Sequence, residues 1–155
     1  TIQLDFQMPE RFGLEYIAED GKAHRPVMVH RAVFGSVERF FGILVEHFGG
    51  AFPTWLAPVQ ARVVTISEKQ EEKAQELYRR LSQEGFRVDL DIRPEKIGYK
   101  IREAELEKIP YILVIGDREA QGDGAAVRAH GRKDLGQKPV SEIIGMLRQE
   151  IRESR

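Results

Sequence analysis

From residue 59 onward, short apolar segments alternate with longer charged segments, and this alternation constrains the fold more than any other feature of the sequence. Short apolar runs bounded by turn residues predict buried strands, and the charged segments between them predict helices. The predicted strands are 61–66, 86–92, 111–115 and 125–129, and the predicted helices are 67–84, 96–109 and 139–152. The order β-α-β-α-β-β-α therefore predicts an α/β domain with a mixed sheet and three helices.

Residues 1–50 predict a different arrangement, a small antiparallel sheet followed by one helix. Apolar and polar residues alternate from Thr1 to Phe6, which predicts a strand with one buried face. Two further strands are predicted at 14–18 and 26–32, and a hairpin turn is predicted after the first of them, at 19–22. A helix is predicted at 37–48, because Ser36 is a good N-cap and two glycines end the helical spacing. The proline-rich segment 51–58 predicts a linker, so the predicted domains are 1–50 and 59–155.

The composition is typical of a folded protein and argues against general binding of nucleic acid. Hydrophobic residues make up 41% of the chain and charged residues 32%, which is far from the balance of a disordered chain. The formal net charge of -1 means that any recognition of RNA has to be local. One local basic stretch is 127–138, whose only carboxylate is Asp134 and whose cations are Arg128, Arg132, Lys133 and Lys138.

Two absences bear on metal chemistry and on location. The chain has no cysteine, which excludes disulfides and cysteine-only zinc sites and is compatible with a reducing cytoplasm. No apolar run approaches the roughly 18 residues that a membrane helix needs, so no membrane partner is expected. The chain also begins at Thr1 inside a predicted strand, which indicates a piece of a longer protein.

The segment Gly35-Ser36-Val37-Glu38-Arg39 has the pattern of a phosphate site at the start of a helix. Free N–H groups and the helix dipole attract anions at that end, and Arg39 lies one turn beyond Ser36 on the same side. The same residues also suit a plain N-cap with a solvated or paired arginine. The pattern alone leaves both interpretations open.

Two further features have similar alternatives. His30 lies on a predicted strand and could bind a metal, but no other histidine forms a usual ligand spacing with it, which favours a hydrogen-bonded histidine.

Glu119 follows the strand at 111–115, and Arg128 lies on the next strand. A carboxylate can accept from guanine N–H groups and an arginine can donate to base carbonyls, although the residues alone favour a salt bridge in the loop.

The segments VMVHRAVFGSVERF, FPTWLAPVQ, RPEKIGYKIREAELEKIPYILVIGDREA and GRKDLG resemble the threonyl-tRNA synthetases, a family of class II aminoacyl-tRNA synthetases. The resemblance covers nearly all of the chain. It implies that residues 1–50 are the C-terminal part of a class II catalytic core, including its motif 3. It also implies that residues 59–155 are a complete anticodon-binding domain.

The resemblance implies roles for residues of the first part. GSVERF is similar to motif 3, whose arginine binds the ATP phosphates, so this role falls on Arg39, with Ser36 beside it. His30 corresponds to a zinc ligand in the family, where the zinc holds the amino group and hydroxyl of threonine. Thr1 and Gln3 match positions at the threonine and ATP pocket.

The resemblance also implies roles in the second part. Glu119 and Arg128 match positions that read the anticodon, and Lys96 is an expected contact to the anticodon loop or its phosphates. Pro94 departs from the family, which often has a polar residue such as asparagine at this position. The contact that such a side chain makes is therefore in doubt here.

The implied function is threonine–tRNA ligase, which forms threonyl-adenylate from threonine and ATP and transfers it to tRNA-Thr. The family implies Zn²⁺ and Mg²⁺, a homodimer and a cytoplasmic location for the full-length enzyme. Motif 1, motif 2 and the other two zinc ligands are missing, so this chain alone is expected to be inactive. The alternatives are a non-catalytic tRNA-binding or accessory module, and another class II synthetase with this domain type. GSVERF and His30 favour a ligase, and FPTWLAPVQ favours threonine.

Overall fold

The computed structural model describes residues 1–131 and 133–153, and these residues form two compact units. The first unit is Thr1–Leu44 and the second begins at Val45. In the described part of the chain, every helix is too short or too polar to cross a bilayer.

The first unit contains two small antiparallel sheets and the start of a helix. Its elements are β1 (Ile2–Asp5), α1 (Gln7–Arg11), β2 (Tyr16–Ile17), β3 (Ala23–His24), β4 (Met28–Arg31) and α2 (Val37–Phe48), the last of which continues into the second unit. Strand β1 pairs with β4, and β2 pairs with β3. The antiparallel pairing is as predicted, but the single sheet that was predicted is two sheets of two strands each, and the turn at 19–22 joins β2 to β3, which was not predicted. Helix α1 was also not predicted, and the Asp5 side chain starts it by accepting the N–H groups of Gln7 and Met8 at 2.9 and 3.0 Å.

The expectation that β1 has one buried face is wrong. Ile2 and Leu4 are 68% and 61% exposed, and Pro9 is the single buried residue among those described in 1–44. The physical reason is that β1 and β4 form a sheet of two strands, which has no second layer against which an apolar face could pack.

The second unit is built on a five-stranded mixed sheet, which confirms the predicted α/β class. The sheet order is β6-β5-β7-β8-β9, in which β6, β5 and β7 are parallel and β8 and β9 are antiparallel. Its strands are β5 (Ala61–Thr65), β6 (Val88–Asp91), β7 (Tyr111–Ile115), β8 (Gly124–Ala129) and β9 (Lys133–Pro139). Its helices are α3 (Glu71–Gln83), α4 (Ile97–Leu106), α5 (Asp117–Ala120) and α6 (Val140–Glu153), with a 3-10 turn at Glu68–Gln70 before α3.

Both faces of this sheet are covered, which explains why its central strands β5 and β7 are mostly apolar. On one face, Val63 and Leu113 pack in a buried cluster with residues of α3 and α6. On the other face, Val64 and Ile112 pack in a second buried cluster with Ala104 of α4. Parallel strands covered on both sides are expected to lack polar alternation, as β7 does, whereas the edge strand β6 (VDLD) alternates.

Strand β9 and helix α5 were not predicted, and both have polar sequences. Strand β9 is KDLGQKP, an exposed edge strand, so its residues have no need to be apolar. Pro139 was predicted to open the last helix, but it is the final residue of β9, and α6 begins at Val140. Arg132, a member of the predicted basic stretch, lies outside the described residues.

The segment 51–58, predicted as a linker, is part of the second unit and is held in place by other side chains of that unit. Gln60 donates from Nε2 to the Thr54 carbonyl oxygen at 2.8 Å. Arg87 donates from Nε to the Ala57 carbonyl at 2.9 Å and from Nη2 to the Trp55 carbonyl at 2.8 Å. Thr54 and Ala57 are buried. The segment therefore has a defined conformation.

Candidate functional site

The strand pair β1 and β4 brings together three of the residues singled out in the first unit. Gln3 lies directly opposite His30 in the antiparallel register, so the two side chains share a face. Thr1 and Asp5 share that face by strand alternation. An open depression of about 690 Å³ lies here, lined by residues that include Gln3, Asp5 and His30.

His30 is held by Asp5. Its Nε2 atom lies 3.1 Å from Asp5 Oδ2. The N–H of Met8 and then the His30 side chain lower the pKa of Asp5, which keeps this carboxylate ionised. Within 1–131 and 133–153, no group of three or more histidine, cysteine, aspartate and glutamate side chains is arranged to hold a metal ion. His30 and Asp5 offer two donors, which is fewer than the three protein ligands of a catalytic zinc site, so the residues present do not form such a site by themselves.

The start of α2 has the geometry of an N-cap. Ser36 Oγ accepts the backbone N–H of Arg39 at 3.1 Å, and Gly35 adopts a left-handed φ of 69° that turns the chain into the helix. The Arg39 side chain is exposed and makes no ion pair with any described residue. The Ser36 hydroxyl is therefore engaged in capping, whereas the Arg39 guanidinium has all its donors available.

In the second unit, the carboxyl ends of the parallel strands β6, β5 and β7 meet at one edge of the sheet, which we call the carboxyl edge. Open α/β sheets bind ligands in the crevice beyond this edge, at the point where the strand order reverses. The chain runs from β5 to β6 on one side and from β7 to β8 on the other side, so the crevice between β5 and β7 is such a position. Gln70 donates from Nε2 to Asp117 Oδ1 at 2.6 Å and joins the segments that follow these two strands.

Glu119 lies at the carboxyl edge, in the short helix α5 and not in a loop as predicted. Its Oε2 atom accepts the Gly116 N–H at 3.1 Å, which leaves Oε1 for another donor. A methyl group on Gly116 would lie 2.8 Å from Ile66 Cδ1 and 3.0 Å from Glu119 Oε2. The glycine therefore lets Ile66 and Glu119 approach each other.

Ile66 is a feature of this edge that the sequence reasoning missed. Its side chain is 50% exposed, although it directly follows the buried strand β5. The available signal was an isoleucine placed between a strand and a serine cap, where a polar residue is more usual. An apolar side chain beside a carboxylate can support the face of a planar group while the carboxylate meets its edge.

Lys96 and Pro94 also lie at the carboxyl edge. Both line an open depression of about 490 Å³ together with Ile66 and Ser67. Lys96 immediately precedes α4, and its side chain is exposed. The structure thus groups Lys96 and Pro94 with Ile66, which neighbours Glu119.

Arg128 lies elsewhere along the sheet. It pairs with Ile112 of β7 and, at a β-bulge, with Asp134 of β9. Ile112 lies three residues before the end of β7, so the Arg128 backbone is about 10 Å along the strand from the carboxyl edge. Its Nε atom is buried without a hydrogen-bond partner in the described part of the chain. The structure therefore shows no direct contact between Arg128 and Glu119, although the sequence analysis assigned them one task.

A buried lysine ties the carboxyl edge together. Lys100 of α4 is 1% exposed and donates from Nζ to the Thr65 carbonyl at 3.0 Å, to Thr65 Oγ1 at 3.2 Å and to the Asp91 carbonyl at 3.3 Å. Burial lowers its pKa. Beside it, Arg93 donates to both carboxylate oxygens of Asp91 and lowers the pKa of that carboxyl. The ends of β5 and β6 are thereby fixed relative to α4.

Comparison with known families agrees with this architecture. The anticodon binding domain family matches residues 60–150, and the tRNA synthetase class II core domain family (G, H, P, S and T) matches residues 1–48. The threonine–tRNA ligase of Carboxydothermus hydrogenoformans is 61% identical over the whole chain, which spans 24% of that enzyme's length. The chain thus spans about a quarter of the curated relatives that it matches.

Solved structures show the same similarity. The RNA binding domain of threonyl-tRNA synthetase from Cryptosporidium parvum Iowa II is 40% identical with a TM-score of 0.79, over 96% of this chain and 38% of that one. Prolyl-tRNA synthetase from Cryptosporidium parvum has a TM-score of 0.68 at 20% identity, over 96% of this chain and 32% of that one. At this identity the similarity shows only that the two chains share a fold. The chain belongs to the anticodon binding domain family, and its whole length is similar to part of the threonine–tRNA ligases.

Proposed function

We propose that the second unit reads the anticodon of tRNA-Thr at the carboxyl edge. The observation that carries this proposal is the position of Glu119, which has one carboxylate oxygen held by the Gly116 N–H and the other free for a base. Lys96 lies at the same edge and offers a charge to a nearby phosphate. Arg128, on β8, would donate a hydrogen bond to the base or backbone of a neighbouring nucleotide.

The full-length enzyme to which this chain corresponds is proposed to be a threonine–tRNA ligase. It would use ATP, threonine and tRNA-Thr, with Mg²⁺, as a homodimer in the cytoplasm. In the first unit, Arg39 would bind an ATP phosphate, since its guanidinium is exposed and unpaired among the described residues, and Ser36 would keep the helix start in place. Thr1 and Gln3 would line the substrate pocket beside His30. The 155-residue chain alone is proposed to lack ligase activity.

Zinc enters this proposal only for the full-length enzyme. His30 would be one ligand, and its ring is already oriented by Asp5 at 3.1 Å. The remaining ligands would have to come from residues outside this chain, because the described residues do not assemble a set of three.

A non-catalytic tRNA-binding module is the second candidate function. The second unit has its own buried core on both faces of the sheet, so binding of RNA does not depend on the first unit. The retained GSVERF segment favours the ligase, because a binding module has no use for the exposed Arg39.

The proposed domains are 1–50 and 59–155, and limited proteolysis tests this division. We expect early cleavage within residues 1–44, where nearly all side chains are exposed, and protection of the second unit. Within 51–58 we expect slow cleavage, because Gln60 and Arg87 hold the backbone of this segment. Mass spectrometry of the fragments identifies the sites. Rapid cleavage between Tyr111 and Ala129 would contradict the proposed domain.

Anticodon reading is tested by binding of the chain to a tRNA-Thr anticodon stem-loop and to one with the middle base replaced. We expect Glu119→Gln to reduce the preference for the cognate loop by about 1–2 kcal/mol, because one acceptor becomes a donor. The salt dependence should stay nearly unchanged. Arg128→Ala should weaken binding and lower the salt slope by up to about one unit.

The matched controls for this experiment lie on α3. Glu76→Gln and Arg79→Ala make the same chemical changes at exposed positions further along α3, which runs away from the carboxyl edge, and both should leave selectivity and the salt slope near those of the unchanged chain. If the unchanged chain binds both stem-loops equally well, the carboxyl edge does not read the anticodon.

A further inference from the structure

A second cavity lies at the opposite edge of the sheet, where β5 and β6 begin. Its volume is about 350 Å³, which is within the range of small-ligand sites. The lining residues that matter here are Trp55, Glu84, Arg87, Arg148 and Arg152. Strand β5, five residues long, separates this cavity from the carboxyl edge by about 16 Å. The cavity is therefore distinct from the proposed anticodon-reading site.

The cavity is cationic, although the chain as a whole has a net charge of -1. Three arginines and one glutamate line it. Glu84 pairs with Arg148. Arg87 donates to the backbone carbonyls of Ala57 and Trp55, which carry no charge, and Arg152 has no ion pair with any described residue. Two positive charges at this site thus lack a carboxylate partner among the described residues, which makes it attractive to an anion.

Trp55 adds a flat apolar surface to this cavity. It is the one tryptophan of the chain, and it is 40% exposed. Its backbone is fixed, because Arg87 holds its carbonyl oxygen and the neighbouring Thr54 is buried. Aromatic side chains held in place serve as stacking platforms for bases, and each stacked base contributes roughly 1–3 kcal/mol. A platform next to uncompensated arginines suits a ligand that has both an aromatic ring and an anionic group.

We propose that this cavity binds a nucleotide, with its base stacked on Trp55 and its phosphate held by Arg87 and Arg152. The ligand is either a free mononucleotide or an unpaired nucleotide of an RNA, since both present a base next to a phosphate. The site is independent of anticodon reading, because none of its residues lies at the carboxyl edge. It uses the segment 51–58 as part of its wall.

Tryptophan fluorescence of the 155-residue chain tests this proposal directly, because Trp55 is the sole tryptophan. We expect saturable quenching by AMP, weaker quenching by adenosine and none by inorganic phosphate alone. A single-stranded RNA oligomer is titrated in parallel. Quenching by AMP assigns a free nucleotide as a ligand, and quenching by the RNA alone assigns an RNA nucleotide. If neither titration saturates, or if adenosine binds as tightly as AMP, the proposal is wrong.

Two exposed arginines provide the variant and its control. Arg152→Gln removes one proposed phosphate contact and should raise the dissociation constant of the bound nucleotide by about threefold to tenfold, as expected for one charged contact. Arg102→Gln makes the same change on α4, away from the cavity, and should have no effect. Circular dichroism confirms that both variants are folded. Equal weakening by both variants would show that the quenching reflects overall charge and would overturn the site.

Discussion

Replacing Lys100 by methionine is expected to lower the free energy of unfolding by about 1–3 kcal/mol. Methionine fills most of the space of the lysine stem, but it cannot donate to the carbonyls of Thr65 and Asp91. These buried acceptors would then lose a partner. Methionine also removes the cost of burying a charge, which opposes the effect, but that gain is smaller than the loss at several buried oxygens. Urea unfolding followed by circular dichroism measures the difference.

The pH dependence of the Lys100→Met difference tests the cause. Because burial lowers the pKa of Lys100, the unfolded chain binds more protons between that lowered value and the ordinary one of about 10.4. The unsubstituted chain is therefore stabilised as the pH rises through this window, and its advantage over the methionine variant should grow. Lys69→Met is the control, since Lys69 is exposed, and it should change stability by less than about 0.5 kcal/mol. A Lys100→Met variant as stable as this control would contradict the assigned role.

Replacing Gly124 by alanine is expected to lower the free energy of unfolding by about 2–3 kcal/mol. The added Cβ atom would lie 2.4 Å from the carbonyl oxygen of Lys138, well inside any normal contact. That oxygen belongs to the backbone of β9, which is paired along β8, so it cannot move aside as a side chain does. Alanine restricts the unfolded chain and thereby adds about 0.4–1 kcal/mol of stability, which is less than the cost of the clash.

Gly122→Ala is the matched control for this substitution. Its Cβ atom would lie 3.9 Å from its nearest neighbours, the carbonyl oxygens of Arg118 and Glu119, so no strain is expected. Thermal unfolding of the two variants, two residues apart in sequence, separates the steric effect from the general effect of replacing a glycine. Equal stabilities would show that β8 and β9 can separate locally at little cost.

The sequence was most informative where burial dictates residue type. Strand β7 has the bounds that its apolar run predicts, 111–115, because a strand covered on both faces has to be apolar throughout. Strand β9 escaped prediction for the converse reason, since an exposed edge strand places no such demand on its residues. The expected buried face of β1 failed for a related reason, because alternation predicts a face but not the presence of a layer to cover it.

The candidate sites show the same division. The motifs GSVERF and GDREA could be recognised in the sequence because the residue types and their spacing along one helix or loop are local properties. The capping of Gly116 by Glu119 and the pairing of His30 with Asp5 depend on which segments meet, so neither could be read from spacing. Trp55 was visible in FPTWLAPVQ, but its arginine neighbours come from the start of β6 and the end of α6.

By itself, the sequence determined the α/β class, the order of most elements and the resemblance to the threonyl-tRNA synthetases, because these depend on local periodicity, turn residues and motif identity. The tertiary structure decided that Glu119, Lys96 and Ile66 share the carboxyl edge, whereas Arg128 lies about 10 Å along the strand. It also decided that the segment 51–58 is clamped by Gln60 and Arg87. The physical reason is that strand register and the crossover of helices to opposite faces bring distant residues together, and neither is encoded in any single stretch of the chain.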